Sequence, residues 1–212
     1  MIPPFSAQAS DRSPALDSLL LAIAQEFDWG VDEYRVRITL DRLARRLRLD
    51  PDASSVQAED RAAAIARALD RERFRVAHRV VPEDLLLHRL LDRRRGHPLL
   101  LSVVGAEIAR RAGIDASPAA DGELTFVAVR HGPRHALVDP GCGTPRPQRR
   151  LSQLCTHQVA YATLTELSRL LVMHGRVACA IKAAEMRLAL PIGTELTERA
   201  RFELDAVRAQ LN

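Results

Sequence analysis

Apolar positions are densest between residues 98 and 113. Leu99, Leu100, Leu101, Val103, Val104, Ala106, Ile108 and Ala109 cover nearly the whole circumference of one helix. A helix does this only when other elements pack around it, so this segment is expected to be the core helix. Pro98 stands at its first turn, where a missing N–H costs nothing and the fixed φ helps. Upstream, the 3.6-residue period predicts a helix opened by Pro14, with Leu16, Leu19, Leu20, Ile23 and Ala24 on one face. A second begins at Asp32, a good N-cap, with Val36, Leu40, Leu43 and Leu47 facing inward. A third runs over residues 58–71, and a fourth starts at Pro82 and runs to Arg95, with Gly96 as its C′ residue. Residues 1–13 are expected to drape loosely.

After Gly113 the period shortens to two. Residues 123–129 predict a strand, His131, Gly132, Pro133 and Arg134 a turn, and residues 135–139 the returning strand of a hairpin. Residues 114–119 add a third strand, and 140–150 are loop. Helices return over 151–154, up to His174, from Arg176 to Leu190, and after Pro191 as a last helix capped by Thr194. Ala178, Ala180, Ala183 and Ala184 suit close helix contact, so this tail resembles one tetratricopeptide-like hairpin docked on the rest, its outer face being the expected partner surface. The fold class expected is α+β and mostly helical. Three parts follow: a helical region over 1–84, a core helix with a small antiparallel sheet over 85–150, and packed helical hairpins over 151–212.

Composition changes the picture little. The 212 residues are 47% hydrophobic and only 4% aromatic, which calls for an aliphatic core. A formal charge of +4 invites an anionic partner, but the basic residues are arginines, Lys182 excepted, and most stand beside acids at helical spacing. The runs over 42–48, 93–95 and 146–150 would serve a nucleic-acid reading. A solvated amphipathic face explains them better, since no aromatic or Gly-rich partner accompanies them. Cys142, Cys155 and Cys179 are odd in number and widely spaced, which argues against a disulfide framework and for a reducing, cytoplasmic setting. No stretch reaches the roughly 18 apolar residues of a membrane span. Cys155, Thr156 and His157 with Cys142 give no standard zinc spacing, and neither metal nor cofactor is assigned.

Residues 90–101, the following 107–114 and the later Leu137, Val138, Asp139 and Pro140 resemble the SirB-type transglutaminase-like proteins of bacteria. In that family an "ER(R/K)GxPxxL" stretch and a helix ending "ARRxGL" precede a "GHFLV" strand and an "(I/V)DP" strand. The resemblance implies a papain- or transglutaminase-like core, in which a Cys at the core-helix start attacks, a His on the next strand takes its proton and an Asp orients the His. Here Pro98 stands at the cysteine position, Leu124 or Thr125 at the histidine position, and only Asp139 survives. The resemblance therefore implies a vestigial site at Pro98, Thr125 and Asp139, and a non-catalytic protein acting through a protein partner, with neither membrane nor nucleic acid involved. Binding candidates are His97, Ser102, His135, Asp139 and Cys142. The competing reading is a hydrolase or acyl transferase using Cys142, between Gly141 and Gly143, with His97 or His135. His135 and Asp139, four residues apart on one strand, lie about 13 Å apart and cannot pair.

Overall fold

The computed structural model describes residues 3–47, 57–122, 124–141, 145–146 and 152–209. It opens with α1 (Phe5–Ser10), α2 (Leu16–Phe27), α3 (Glu33–Arg45) and α4 (Ala58–Arg71). Strand β1 (Arg75–Val76), a 3₁₀ turn over Pro82–Leu85, α5 (Leu87–Arg93) and β2 (Arg95–Gly96) lead into α6 (Pro98–Arg111). Then come β3 (Ala116–Asp121), β4 (Leu124–His131), β5 (Arg134–Val138), β6 (Pro145–Arg146) and β7 (Ser152–Gln153), followed by α7 (Thr156–Met173), α8 (Val177–Leu188) and α9 (Thr194–Arg208). The chain is mostly helical with a small antiparallel sheet, the α+β class expected from its pattern.

Helix α6 is the core helix. Every residue from Leu99 to Ala109 is buried, including Ser102 and Glu107. The sheet, in order β6–β5–β4–β3–β7 and antiparallel throughout, lies against it. Val127, Val129, Ala136 and Val138 turn to the helix side, while Phe126, Ala128 and Leu137 form a second cluster with Ala119 on the opposite face. Gly105 of α6 permits the close approach: a Cβ there would come within 2.7 Å of Val127 Cγ2.

Five local expectations are corrected. Residues 5–10 form α1 rather than draping, because Phe5 and Ala9 are buried and the His157 ring donates to the Ala9 carbonyl at 3.2 Å. The helix expected from Pro82 divides at Leu86, whose extended backbone separates the 3₁₀ turn from α5. Gly96 is not a helix cap: Arg94 takes the left-handed position (φ 55°), and Gly96 pairs in β2 parallel to β1. Ser152 and Gln153 form an edge strand on β3 instead of a helix, and Gly193, not Thr194, stands at the N-cap of α9.

Arginine ties between elements reinforce the core. Arg111, at the end of α6, reaches Asp17 of α2 at 2.6 Å and Asp41 of α3. Asp28, past the end of α2, accepts from Arg89 (2.6 Å) and pairs with buried His88 (2.9 Å). Helix α7 buries Val159, Leu164, Leu167 and Leu171, packing against α2, α6 and the 3₁₀ turn. Ala180, Ala183 and Ala184 are buried within the α7–α8–α9 stack, so these alanines are helix contacts and form no open groove. Ile181 and Leu188 of α8 are half-buried. Among the described residues no helix is long and apolar enough to cross a membrane.

Candidate functional site at the start of the core helix

The approach to α6 is fixed before the helix begins. Asp84 is fully buried in the 3₁₀ turn; its Oδ2 accepts the Val81 N–H at 3.1 Å, and its carbonyl accepts the His97 N–H at 3.0 Å. Gly96 is squeezed against this turn, where a Cβ would sit 2.9 Å from that carbonyl. His97 is the N-cap, and its Nδ1 accepts the Leu99 N–H at 3.2 Å, one of the free donors of the first turn. That bond places the ring proton on Nε2. Burial holds the His97 pKa below the ordinary imidazole value; Glu166 opposes the shift and Arg169 adds to it. The ring is therefore neutral at pH 7, with one N–H to donate.

Beside His97 lies a cavity of about 500 Å³, lined by Leu99, Thr125, Leu154, Ala162 and the α7 pair Glu166 and Arg169, among others. Arg169 clasps Glu166 through two bonds of 2.8 and 2.5 Å. Thr125, on the β4 face that meets α6, has a buried Oγ1 with no hydrogen-bond partner among the described residues. Pro98 occupies the first helical position. Ser102 lies a turn inside, fully buried, its hydroxyl donating to the Leu99 carbonyl at 2.7 Å, which makes it a packing residue.

The remaining candidates lie elsewhere. The Val127–Val138 pairing brings Asp139 level with Phe126, one residue from Thr125, but its Oδ1 accepts the Gly141 N–H at 2.8 Å and shapes the loop. His135 pairs with Arg130, five residues along β4 from Thr125 and so about 17 Å away. Cys142 lies outside the described residues. Cys155 is exposed at the start of α7 and borders a different cavity, with Ser117, Pro118 and His157. Among the described residues no group of His, Cys, Asp and Glu has the arrangement of a metal site. Glu166 and Arg169 escaped sequence reasoning; their signal, an acid and a base three residues apart on a leucine-rich helix, is that of any solvated helix face.

A buried helix whose start opens on a cleft, backed by an antiparallel sheet, defines an α+β protein built around one core helix. The particular family follows from the sequence: the model of the Transglutaminase-like superfamily matches residues 34–172, and the chain belongs to that superfamily. No curated protein matches the chain. Among solved structures it is similar to menin, in a crystal structure described as revealing the binding site for Mixed Lineage Leukemia (MLL) protein, with a TM-score of 0.56 and 13% identity. The match covers 97% of this chain but spans only 60% of the menin chain, and at that identity it speaks for the fold alone.

Proposed function

We propose that this chain is a non-catalytic, SirB-type member of the superfamily, a cytoplasmic pseudoenzyme that works as a protein-interaction or regulatory module. The observation that carries the reading is Pro98 at the first position of α6, where a covalent mechanism of this class needs a thiolate. The neighbouring groups do not replace it. His97 spends Nδ1 on its own helix and carries its proton on Nε2, so it is a donor and not a base. Thr125, at the histidine position, has no proton-accepting nitrogen. What remains is a cleft with a neutral N–H, a hydroxyl and a self-satisfied ion pair, which suits binding better than turnover. Menin, which shares the fold, is described as having a binding site for another protein, and this supports protein recognition on such a scaffold.

The test is an activity panel of amide, ester and amine-acceptor substrates applied to the parent chain, Cys142→Ala and Pro98→Cys. All three are expected to be silent. Pro98→Cys gains a thiol at a helix start, where its pKa would fall, but gains no base to accept its proton. Turnover by the parent chain that Cys142→Ala abolishes would establish the cysteine-hydrolase reading instead.

A further inference from the structure

We propose that the groove between α3 and α5 is the docking surface for an acidic peptide segment, carrying at least one large apolar side chain, of a protein partner. The inference deepens the interaction reading above and rests on it.

Helix α3 divides its surface sharply. Val36, Leu40 and Leu43 are spent on the core. On the outward side, one turn apart, stand Tyr34 at 74% exposure and Ile38 at 45%. In a chain that buries most of its large apolar side chains, two neighbouring ones left in water on a single helix face mark a contact surface. They line a cavity of about 510 Å³ whose far wall is α5, with buried Leu91 beneath and Arg94 at the end.

The charge around this apolar strip is one-sided. Arg35, Arg42 and Arg94 line the groove, and Arg45 and Arg46 follow on the next turn of α3 and its cap. Against them stand two carboxylates: Asp92, paired with Arg35 at 2.8 Å, and Glu72, shared between Arg46 and Arg94. Arg42 and Arg45 have no carboxylate partner among the described residues. Arg94 is the most constrained member. It holds a left-handed backbone (φ 55°) that a non-glycine residue rarely adopts, and its guanidinium lies 4.7 Å from the Phe74 ring centre. Its Nη1 is buried with no hydrogen-bond partner among the described residues. Burial lowers its pKa; Glu72 opposes this, and Arg42 and Arg46 add to it. A carboxylate arriving between Arg42 and Arg94 would relieve the repulsion between them.

A nucleic-acid strand satisfies only half of this surface. Its phosphates would meet the arginines and one base could stack on Tyr34, but the aliphatic Ile38 and Leu91 would gain no apolar partner from it. An acidic segment with an apolar side chain answers both features. The i, i+4 spacing of Tyr34 and Ile38 matches a partner laid along α3.

The test is selection of a random peptide library displayed on phage against the full chain, followed by titration of the recovered peptides by fluorescence anisotropy. Peptides rich in Asp and Glu around a large apolar residue are expected. Their affinity should fall about tenfold or more with Arg42→Glu, as for reversal of a contacting charge, and by about threefold or more with Tyr34→Ala. Both sites are exposed, so folding should be unchanged, and Arg201→Glu on the distant α9 should leave affinity as it was. Recovered peptides without acidic enrichment, or unmoved by Arg42→Glu, overturn the groove assignment while leaving an interaction module intact. So does a single-stranded oligonucleotide of about 20 residues whose binding Arg42→Glu abolishes, with a salt dependence typical of phosphate contacts. Failure to recover any peptide, together with turnover in the substrate panel, removes the interaction reading itself.

Discussion

Replacement of Gly96 by alanine tests how the cleft is built. An added Cβ would lie 2.5 Å from Leu90 Cδ1, 2.8 Å from Leu90 Cγ and 2.9 Å from the Asp84 carbonyl oxygen, where contacts normally fall at about 3.5–4.0 Å. Neither neighbour can yield easily. Leu90 is fully buried, and the Asp84 carbonyl already receives the His97 N–H. Overpacking of this kind costs about 1–3 kcal/mol, and contact with backbone belongs at the upper end. Against it, Gly→Ala reduces the freedom of the unfolded chain and recovers about 0.4–1 kcal/mol. The net loss is then about 2 kcal/mol, or about 4–8 °C in Tm for a chain of this length. Gly105→Ala is the comparison. Its Cβ meets a side-chain methyl of Val127 at 2.7 Å, and the mid-helix substitution itself gains about 0.5–1 kcal/mol, so its cost should be smaller. Differential scanning fluorimetry ranks the two, and the His97 ring resonances should move with Gly96→Ala because the strand that delivers His97 is displaced. A Gly96→Ala protein whose Tm is within about 1 °C of the parent, or above that of Gly105→Ala, would refute the close-approach argument.

Three further outcomes are expected. Arg187, 1% exposed, bonds Glu203 at 2.5 Å and Thr165 at 3.1 Å; Arg187→Met should lower the urea midpoint by the equivalent of about 2–3 kcal/mol, less than a fully buried pair because Glu203 is partly wet. An unchanged midpoint would show that the pair contributes nothing net. The hydrogen bond from Arg89 holds the Asp28 carboxyl well below its ordinary range; burial opposes this, while the Gly30 N–H and His88 add to it. A depressed folded pKa means that the unfolded chain takes up the proton first. The stability from Asp28 is therefore complete above about pH 5 and lost progressively as pH falls. Urea melts of Asp28→Asn should show a shallower acid limb than the parent, and equal slopes would count against the assignment. Finally, a chain ending at Arg150 should bind hydrophobic dye and lose near-UV dichroism, since α7 covers leucines of α2; a cooperative, monomeric fragment would show the tail to be an independent appendage.

The parts legible in the sequence are those governed by period. The stripe Val36, Leu40, Leu43 gave α3 and its Asp32 cap, which accepts the Arg35 N–H at 3.0 Å. The all-round apolar run gave α6, and the alternation after Gly113 gave the β4–β5 hairpin with its turn at Gly132 and Pro133. The parts that escaped are decided by tertiary contact. Ser152 and Gln153 become a strand only because the edge of β3 is open to them. Gly96 suits a helix cap by local rules, yet it is required because an added Cβ would meet Leu90 Cδ1 at 2.5 Å. Of the candidate site, His97, Pro98 and Thr125 were legible, because helix-start chemistry and family spacing point to them. Glu166 and Arg169 were not, because nothing local distinguishes a pair that faces a cleft from one that faces water.

Their position ties the cleft to α7. The cleft takes His97 and Leu99 from α6, Thr125 from β4 and one wall from α7, so it straddles the boundary at 150/151. The family match, over residues 34–172, likewise begins within α3 and ends within α7, crossing both 84/85 and 150/151. Helix α7 is thus a structural part of the core, and α8 and α9 are layered on it. Lys182 of α8 still reaches back to Glu26 of α2, at 2.9 Å to its carbonyl and 2.6 Å to its carboxylate, and Arg176 reaches Glu83 of the 3₁₀ turn at 3.1 Å. These exposed pairs contribute little energy singly, but they set the angle at which the tail sits. A partner that gripped the tail would therefore act on the 3₁₀ turn that positions His97. A partner seated on α3 and α5 would reach the same turn through Arg93, 4.0 Å from the buried Asp84 carboxylate. Both surfaces converge on the segment that delivers His97 to the start of the core helix, where the Asp84 carbonyl accepts the His97 N–H.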